Sequence, residues 1–358
     1  SSLISLFAFL TPLLGQSLAV PEVGEHSLRV LTPRLLEMHL VNTQELPADD
    51  SQTFPTTWDF LDVDRRKDTA PSLNAFQVEV DGSPVSILGI GFSRRPLFAP
   101  LKEYDLRVGN SIFLLLGESI STDVEIVVKD SPGNEVDYLS GLSFVTEATT
   151  SRVSPAIHVS QVGFEPIYEG GHPGLKQGFV SLYLGDLGVT RVDETTNEWV
   201  VDVLADASTG EFSELTVPLG VDLGTGFELI DAEDGSVVYT GSFSQRDDER
   251  WVAYRSVLEA DFSEVVDPGW YRLRVPGLGA SLPFGIYEGV ASTLARTLAL
   301  GVYHQRSAQD HALPYTRFID GPAHTAPSFI PFDDVAESSS YAMLKRESDS
   351  FFEKAGTV

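Results

Sequence analysis

Cysteine is absent from all 358 residues. That excludes disulfides and thiolate metal ligands, so stability must come from apolar cores, which 42% hydrophobic residues are enough to build. Basic residues are scarce: 24 Lys+Arg stand against 52 Asp+Glu, a formal net charge of −28. A field of that sign repels phosphate backbones and anionic bilayers, so no nucleic acid and no membrane is expected as a partner, and it favours solubility. No apolar run reaches the ~20 residues that a spanning helix requires. Gly-rich phosphate loops, serine nucleophile elbows and Walker patterns are missing as well. The length suggests two or three domains.

The start of the chain carries an uncharged apolar run, Leu3 to Leu10, then Pro12, Leu13 and Leu14, and small residues at Ser17 and Ala19 where a signal peptidase reads. Residues 1–19 therefore read as a secretory signal peptide, giving a bacterial-type secreted or extracellular location; a buried N-terminal strand is the competing reading. With no initiating Met and no Lys/Arg-rich start, the chain is expected to begin inside its own leader.

From Ser27 to Glu147 helical periodicity is lacking and short alternating segments recur. Phe76–Val80 and Val85–Leu88 flank Asp81-Gly82, a dipeptide that favours a two-residue hairpin turn. Further strands are expected at Leu28–Val30 with Leu35–Val41, at Ser111–Leu116 and at Val124–Lys129, together a β-sandwich. The segment around Trp58 and the charged stretch Asp62–Asp68 read as a long loop. Arg94-Arg95, near Phe92, Phe98 and Tyr104, either meets an acidic sugar or balances nearby carboxylates. Ala148–Pro155 is polar, β-branched and closed by proline, which suits a short, stiff connector.

The second β region is expected over Ala156–Glu288. Ile157–Phe164 alternates in period 2 and reads as its opening strand, ended by Gly163. Gly178–Leu184 returns. A polar, acidic stretch from Gly185 to Gly226 follows, whose alternation at Trp199–Leu204 and Leu215–Val217 suggests an added hairpin. Phe227–Ile230 and Val237–Tyr239 form another around Asp234-Gly235, and Trp251–Ala260 reads as a long strand. Along Trp270–Val275 the residues Tyr271, Leu273 and Val275 face the core. From Gly289 the period changes: Val290, Leu294, Leu298 and Val302 recur at helical spacing, placing a helix over Val290–Gln305. A second helix is possible at Ser340–Lys354.

Several motifs now align. Gln161-Val-Gly-Phe164, Asp261-Phe-Ser263, Pro268-Gly-Trp-Tyr-Arg-Leu273 and Ser281-Leu-Pro-Phe-Gly-Ile286 occur in that order, followed by a helix with Tyr303-His-Gln-Arg306. This combination resembles the N-terminal immunoglobulin-like domain that precedes the catalytic module in cellulases of glycoside hydrolase family 9, over roughly Ile157 to Pro331. The resemblance implies a mainly β chain: two tandem β-sandwich domains, the second immunoglobulin-like, then residues 289–358 as the start of a truncated (α/α)6-type helical module. It also implies a secreted hydrolase of β-1,4-glucan or a related polysaccharide, with the immunoglobulin-like domain packed against the catalytic module. The competing class is a non-enzymatic secreted carbohydrate-binding or adhesin-type β-sandwich protein.

Glycosidic hydrolysis requires two carboxyls, one acid and one base, ~6.5–9.5 Å apart in inverting enzymes. The family places its base in an Asp-Ala-Gly-Asp motif, and none occurs here. Asp231-Ala-Glu-Asp234 lies before a hairpin glycine, and Asp333-Asp334 lacks the context; both read as solvated turn acids. No catalytic residue is assigned. The family's zinc ligands are two cysteines and a histidine, whereas this chain has Ser307 and Ala323-His324 at the matching places, so His304, His311 and His324 read as interface histidines. Acidic loops at Asp193–Glu198 and Asp247–Glu249 lack a calcium-loop signature. No metal or cofactor is expected. Trp58, Trp199, Trp251 and Trp270 are candidates either for stacking on sugar rings or for half-buried core positions.

Overall fold

A computed structural model describes residues 21–43, 73–97, 107–131, 142–168, 170–206, 211–246, 256–304 and 321. The expected signal segment, Trp58, Asp62–Asp68, Phe98, Tyr104, Asp247–Glu249, Trp251, Gln305, His311, His324, Asp333-Asp334 and Ser340–Lys354 lie outside the described residues. The chain is mainly β, in several antiparallel sheets, with one helix near the C-terminal end of the described residues.

The first β region holds β1 (His26–Thr32), β2 (Leu35–Thr43), β3 (Phe76–Val80), β4 (Ser83–Val85), β5 (Ile87–Pro96), β6 (Arg107–Leu116), β7 (Glu125–Asp130) and β8 (Phe144–Glu147). They form two four-stranded sheets, ordered β1-β2-β6-β5 and β4-β3-β7-β8. The expected hairpin is present. Asp81 and Gly82 adopt φ of 47° and 74°, the positive values that a type I′ turn requires. The expected strand Val85–Leu88 is instead divided at Ser86. Its first part stays paired with β3, while Ile87 onward pairs with β6 in the facing sheet. Alternate residues of the two sheets, among them Met38, Ile112, Leu114, Phe76, Val78, Ile126 and Val128, close one dry core between them.

The second region holds β9 (Ile157–His158), β10 (Gln177–Val180), β11 (Gly188–Val192), β12 (Glu198–Asp206), β13 (Glu211–Asp222), β14 (Phe227–Asp231), β15 (Val237–Gly241), β16 (Phe243–Gln245), β17 (Leu258–Asp261), β18 (Gly269–Val275), β19 (Gly279–Ala280) and β20 (Phe284–Ile286). Two sheets, β16-β17-β10-β9 and β15-β14-β18-β19 with β20 also on β18, make the sandwich. Tyr271, Leu273 and Val275 are buried as their parity requires. The Tyr271 hydroxyl bonds back to the Asp267 carbonyl four residues upstream, a tyrosine-corner geometry. The opening strand is shorter than expected: regular pairing stops at His158, because Ser160–Gly163 turns, with Gly163 at φ 103°.

The acidic stretch 185–226 is larger than one hairpin. It forms a third sheet, β11-β12-β13, whose inner face carries Trp199, Val201, Val217, Leu219 and Val221. These join a single apolar core with Leu31, Leu35, Phe113 and Leu115, which lie on the opposite face of the β1-β2-β6-β5 sheet from its own sandwich partner. That sheet is therefore covered on both sides, and every residue of β6 after Arg107 is buried. The chain divides into two compact units, Ser1–Ala295 and Arg296–Val358, and both β regions belong to the first.

Two devices seal this seam. At the edge of β5, the Phe92 amide donates to Asp186 Oδ1 at 2.6 Å, and the Asp186 amide donates to the Phe92 carbonyl at 3.2 Å, covering a strand edge that would otherwise expose unpaired groups. Arg152 in the connector donates to the carbonyls of Val30 on β1, Thr149 and Gly277 in the β18–β19 turn. Arg272 reaches Ser151 and Ser281. Both guanidiniums spend their donors on backbone, and burial lowers their pKa values.

Candidate helix-anchoring junction

The motifs that run through the second region meet at one point. Phe164 of the Gln-Val-Gly-Phe turn, Phe262 of Asp-Phe-Ser and Phe284 of Ser-Leu-Pro-Phe form a triangle with ring centroids 5.3–5.4 Å apart. Phe262 and Phe284 are fully buried. Two of the three contacts are near-perpendicular, the edge-to-face arrangement that aromatic quadrupoles favour. The polar residues of the motifs serve the backbone: Asp261 Oδ1 accepts from the Ser263 amide, and Ser281 Oγ accepts from the Leu273 amide.

Beside the triangle, the turn grips the end of β20. The Phe164 amide donates to the Gly285 carbonyl, the Tyr287 amide to the Phe164 carbonyl, and the Tyr287 hydroxyl to the Val162 carbonyl. Gly163 is required here. Its positive φ is strained for other residues, and a Cβ would lie 2.7 Å from the Gly285 oxygen.

Helix α1 (Val290–His304) starts directly after this grip, at the expected Val290, and runs to the last described residue of this stretch. Glu165 caps it from 124 residues away in sequence: Oε2 accepts from the Gly289 amide at 3.2 Å and Oε1 from the Ala291 amide at 3.0 Å. A carboxylate there satisfies two otherwise orphaned donors and complements the positive end of the helix dipole. Along the apolar row of α1, Val290 is buried but Leu294, Leu298 and Val302 are exposed.

Lys176 underpins the same turn. Its side chain is fully buried, and Nζ donates to the carbonyls of Pro166 (3.2 Å), Gly174 (2.8 Å) and Ser263 (3.1 Å). Burial lowers the ammonium's pKa below that of an exposed lysine, opposed by the Asp261 carboxylate. The unfolded chain then binds this proton more tightly than the folded one. The Lys176 contribution to stability therefore rises with pH between its folded pKa and the unfolded value of about 10.4. Urea unfolding of wild type and K176M should show a gap in wild type's favour that widens from pH 8 to pH 10; a flat or shrinking gap would contradict this assignment.

Elsewhere, groups that look chemical are occupied. Ser111, His39 and Glu37 meet on the first sheet, but Ser111 Oγ donates to Glu37 Oε1 at 2.6 Å while His39 Nδ1 sits 3.2 Å from Ser111 Oγ. The acid thus bonds the serine and not the far side of the imidazole, the reverse of a nucleophile–base relay. Burial and Arg29 lower the His39 pKa against Glu37. Arg94 donates to Asn110 Oδ1 and stacks over Phe92. Asp231 and Asp234 accept from backbone amides of their own turn. A cleft of about 340 Å³ opens at the seam beside Val30, Ala148 and Arg152; its one lining carboxylate, among the described residues, is Glu228, paired with Arg274 at 2.6 Å. Of the four tryptophans, Trp199 is fully buried in the shared core and Trp270 is half exposed. Among the described residues, no group of three His, Cys, Asp or Glu is placed to hold a metal, and no helix is long and apolar enough to cross a membrane.

Comparison with known proteins matches part of the second β region. Residues 221–280 match the cellulase N-terminal ig-like domain family. Endoglucanase D of Acetivibrio thermocellus is 34% identical over 102 residues, 28% of this chain and 16% of that protein, and the form from strain ATCC 27405 gives the same identity over 15% of its length. The match thus spans about a sixth of these relatives. Two solved structures are similar: a Bacteroides ovatus GH9 protein, at 21% identity over 47% of this chain and 22% of that one, TM-score 0.29; and a metagenome-derived glycoside hydrolase family 9 endoglucanase, at 23% identity over 50% and 26%, TM-score 0.34. At those TM-scores neither bears on the function of this chain.

Proposed function

We propose, on the premise that the chain carries an N-terminal immunoglobulin-like domain of the cellulase type, that it is the accessory portion of a secreted family 9 glycoside hydrolase. The parent enzyme would hydrolyse β-1,4-glucan or a related polysaccharide, and the β regions would support and orient a helical catalytic module that begins at α1 and packs against the immunoglobulin-like domain. The observation that carries this reading is the junction itself. The Gly163 turn and the Glu165 cap meet the first turn of α1, in the same segment as Phe164 of the aromatic triangle. A domain that served only display would have no reason to order the start of a following helix with a carboxylate 124 residues away. Secretion is supported by the apolar run at the start of the chain, and a net charge of −28 suits a protein working in water.

In this reading the acid and base belong to the helical module, and the seam cleft offers one carboxylate, Glu228, already paired with Arg274. The test compares three proteins on carboxymethylcellulose: this chain, the full polypeptide encoded by its gene, and that polypeptide lacking residues 1–288. The chain alone should release no reducing ends and the full polypeptide should. Deleting the β regions should lower the thermal midpoint of the remaining module by several degrees, as loss of a packed neighbour of this kind implies. Hydrolysis by this chain alone would overturn the accessory role. A full polypeptide inactive on every β-glucan tried would overturn the enzymatic reading and favour a binding or adhesin-type protein.

A further inference from the structure

The Glu165 cap poses a mechanical question, because Glu165 lies in an irregular segment and not on a strand. Between Phe164 and Gln177 the chain makes isolated bridges and turns: Ile167 pairs with Pro173, Tyr168 bonds His172, and the Gly174 amide reaches the Pro166 carbonyl. Such a segment has few apolar contacts to hold it, and Ile167, Tyr168 and Leu175 are exposed. What it does have is one buried cation at its base.

We infer that Lys176 is the positioning residue for helix α1: by gathering the Pro166, Gly174 and Ser263 carbonyls on one ammonium, it fixes the residue next to Glu165 and so holds that carboxylate against the Gly289 and Ala291 amides. The inference rests on the junction reading above and adds the group that sets it. Three features support it. The side chain is fully buried, and its described hydrogen-bond partners are backbone oxygens of the segment and of the Asp-Phe-Ser strand end. The Lys176 backbone is itself locked, its amide donating to Ser263 Oγ and its carbonyl accepting from Phe262. The ammonium thus ties the segment to the Ser263 carbonyl, one residue beyond Phe262 of the aromatic triangle. Three N–H donors on a compact head match three convergent carbonyls, which neither a guanidinium fork nor an amide reproduces.

Amide hydrogen exchange on the intact chain tests it. In K176M the Gly289 and Ala291 amides should exchange about fivefold faster or more, the size expected for loss of a cap, while Leu229 and Leu273 in the β14–β18 pair keep their wild-type protection. E165A should speed the same two amides directly. If Lys176 acts through Glu165, adding K176M to E165A should speed them no further. Unchanged exchange at Gly289 and Ala291 in folded K176M overturns the inference. So does uniform acceleration across the sandwich, or full additivity in the double variant. Should K176M fail to fold, K176Q replaces it; should both fail, E165A decides, since protected amides in E165A would show that the carboxylate does not hold the helix. These amides report on the junction whether or not the parent protein cleaves polysaccharide, so failure here and failure of the proposed function are separate outcomes.

Discussion

Gly91→Val should be among the most damaging single changes in the described part of this protein, lowering the free energy of unfolding by about 4 kcal/mol or more. A Cβ at Gly91 would lie 2.3 Å from Leu187 Cβ, 2.7 Å from its amide nitrogen and 2.8 Å from its Cα. Backbone atoms cannot rotate away as a flexible side chain does, so either β5 or the 184–187 turn must move. Neither is free to. Phe92 and Asp186, the immediate neighbours, exchange two hydrogen bonds across the same gap, and Leu187 belongs to the shared core. Asp186→Ala removes the carboxylate acceptor but leaves the approach intact, so it should cost less, about 1–3 kcal/mol. Urea denaturation followed by far-UV circular dichroism checks both. A Gly91→Val chain within 1 kcal/mol of wild type, against the ~4 expected, would mean the two β regions do not meet as described.

The second large effect is expected at Trp199. Its side chain is fully buried in the core shared by β12, β13 and the outer face of the first sheet. Trp199→Ala should cost about 3–5 kcal/mol, from lost transfer free energy plus a cavity that the surrounding strands cannot collapse. Trp199→Phe discriminates further. The indole Nε1 has no hydrogen-bond partner among the described residues. Losing that N–H should therefore cost nothing, and the penalty should be the smaller one of shrinking the ring, about 1–2 kcal/mol. A Trp199→Phe chain as unstable as Trp199→Ala would show the nitrogen to be bonded.

Local chemistry made much of the fold readable. Asp81-Gly82 specified its hairpin because few other dipeptides tolerate two positive φ values in succession. The parity of Trp270–Val275 separated core from surface because strand side chains alternate strictly. The motifs carrying the family resemblance could be recognised one by one, but nothing in their spacing shows that Phe164, Phe262 and Phe284 touch. Ser86 was invisible as a break, since the residues on either side are equally good strand formers and only the choice of pairing partner divides them. Lys176 and Glu165 were missed for a related reason. One lysine among 24 basic residues and one glutamate among 52 acids carry no mark of their burial or their partner. The unbroken apolar run Ile112–Leu116 was a usable hint that β6 is covered on both faces, though it names no cover.

By itself, then, the order of residues determined the β character, the turns, the start of the helix and the class of domain near residues 221–280, all of which depend on neighbours a few positions apart or on recurrent motifs. Only the tertiary structure decided that the insertion at 185–226 closes over the first sheet, that Arg152 and Asp186 seal the seam, and that a buried ammonium and a distant carboxylate hold the first turn of α1. The long-range members of that set join residues 87 to 126 positions apart, and what selects them is the burial of whole faces, which no short window of sequence contains.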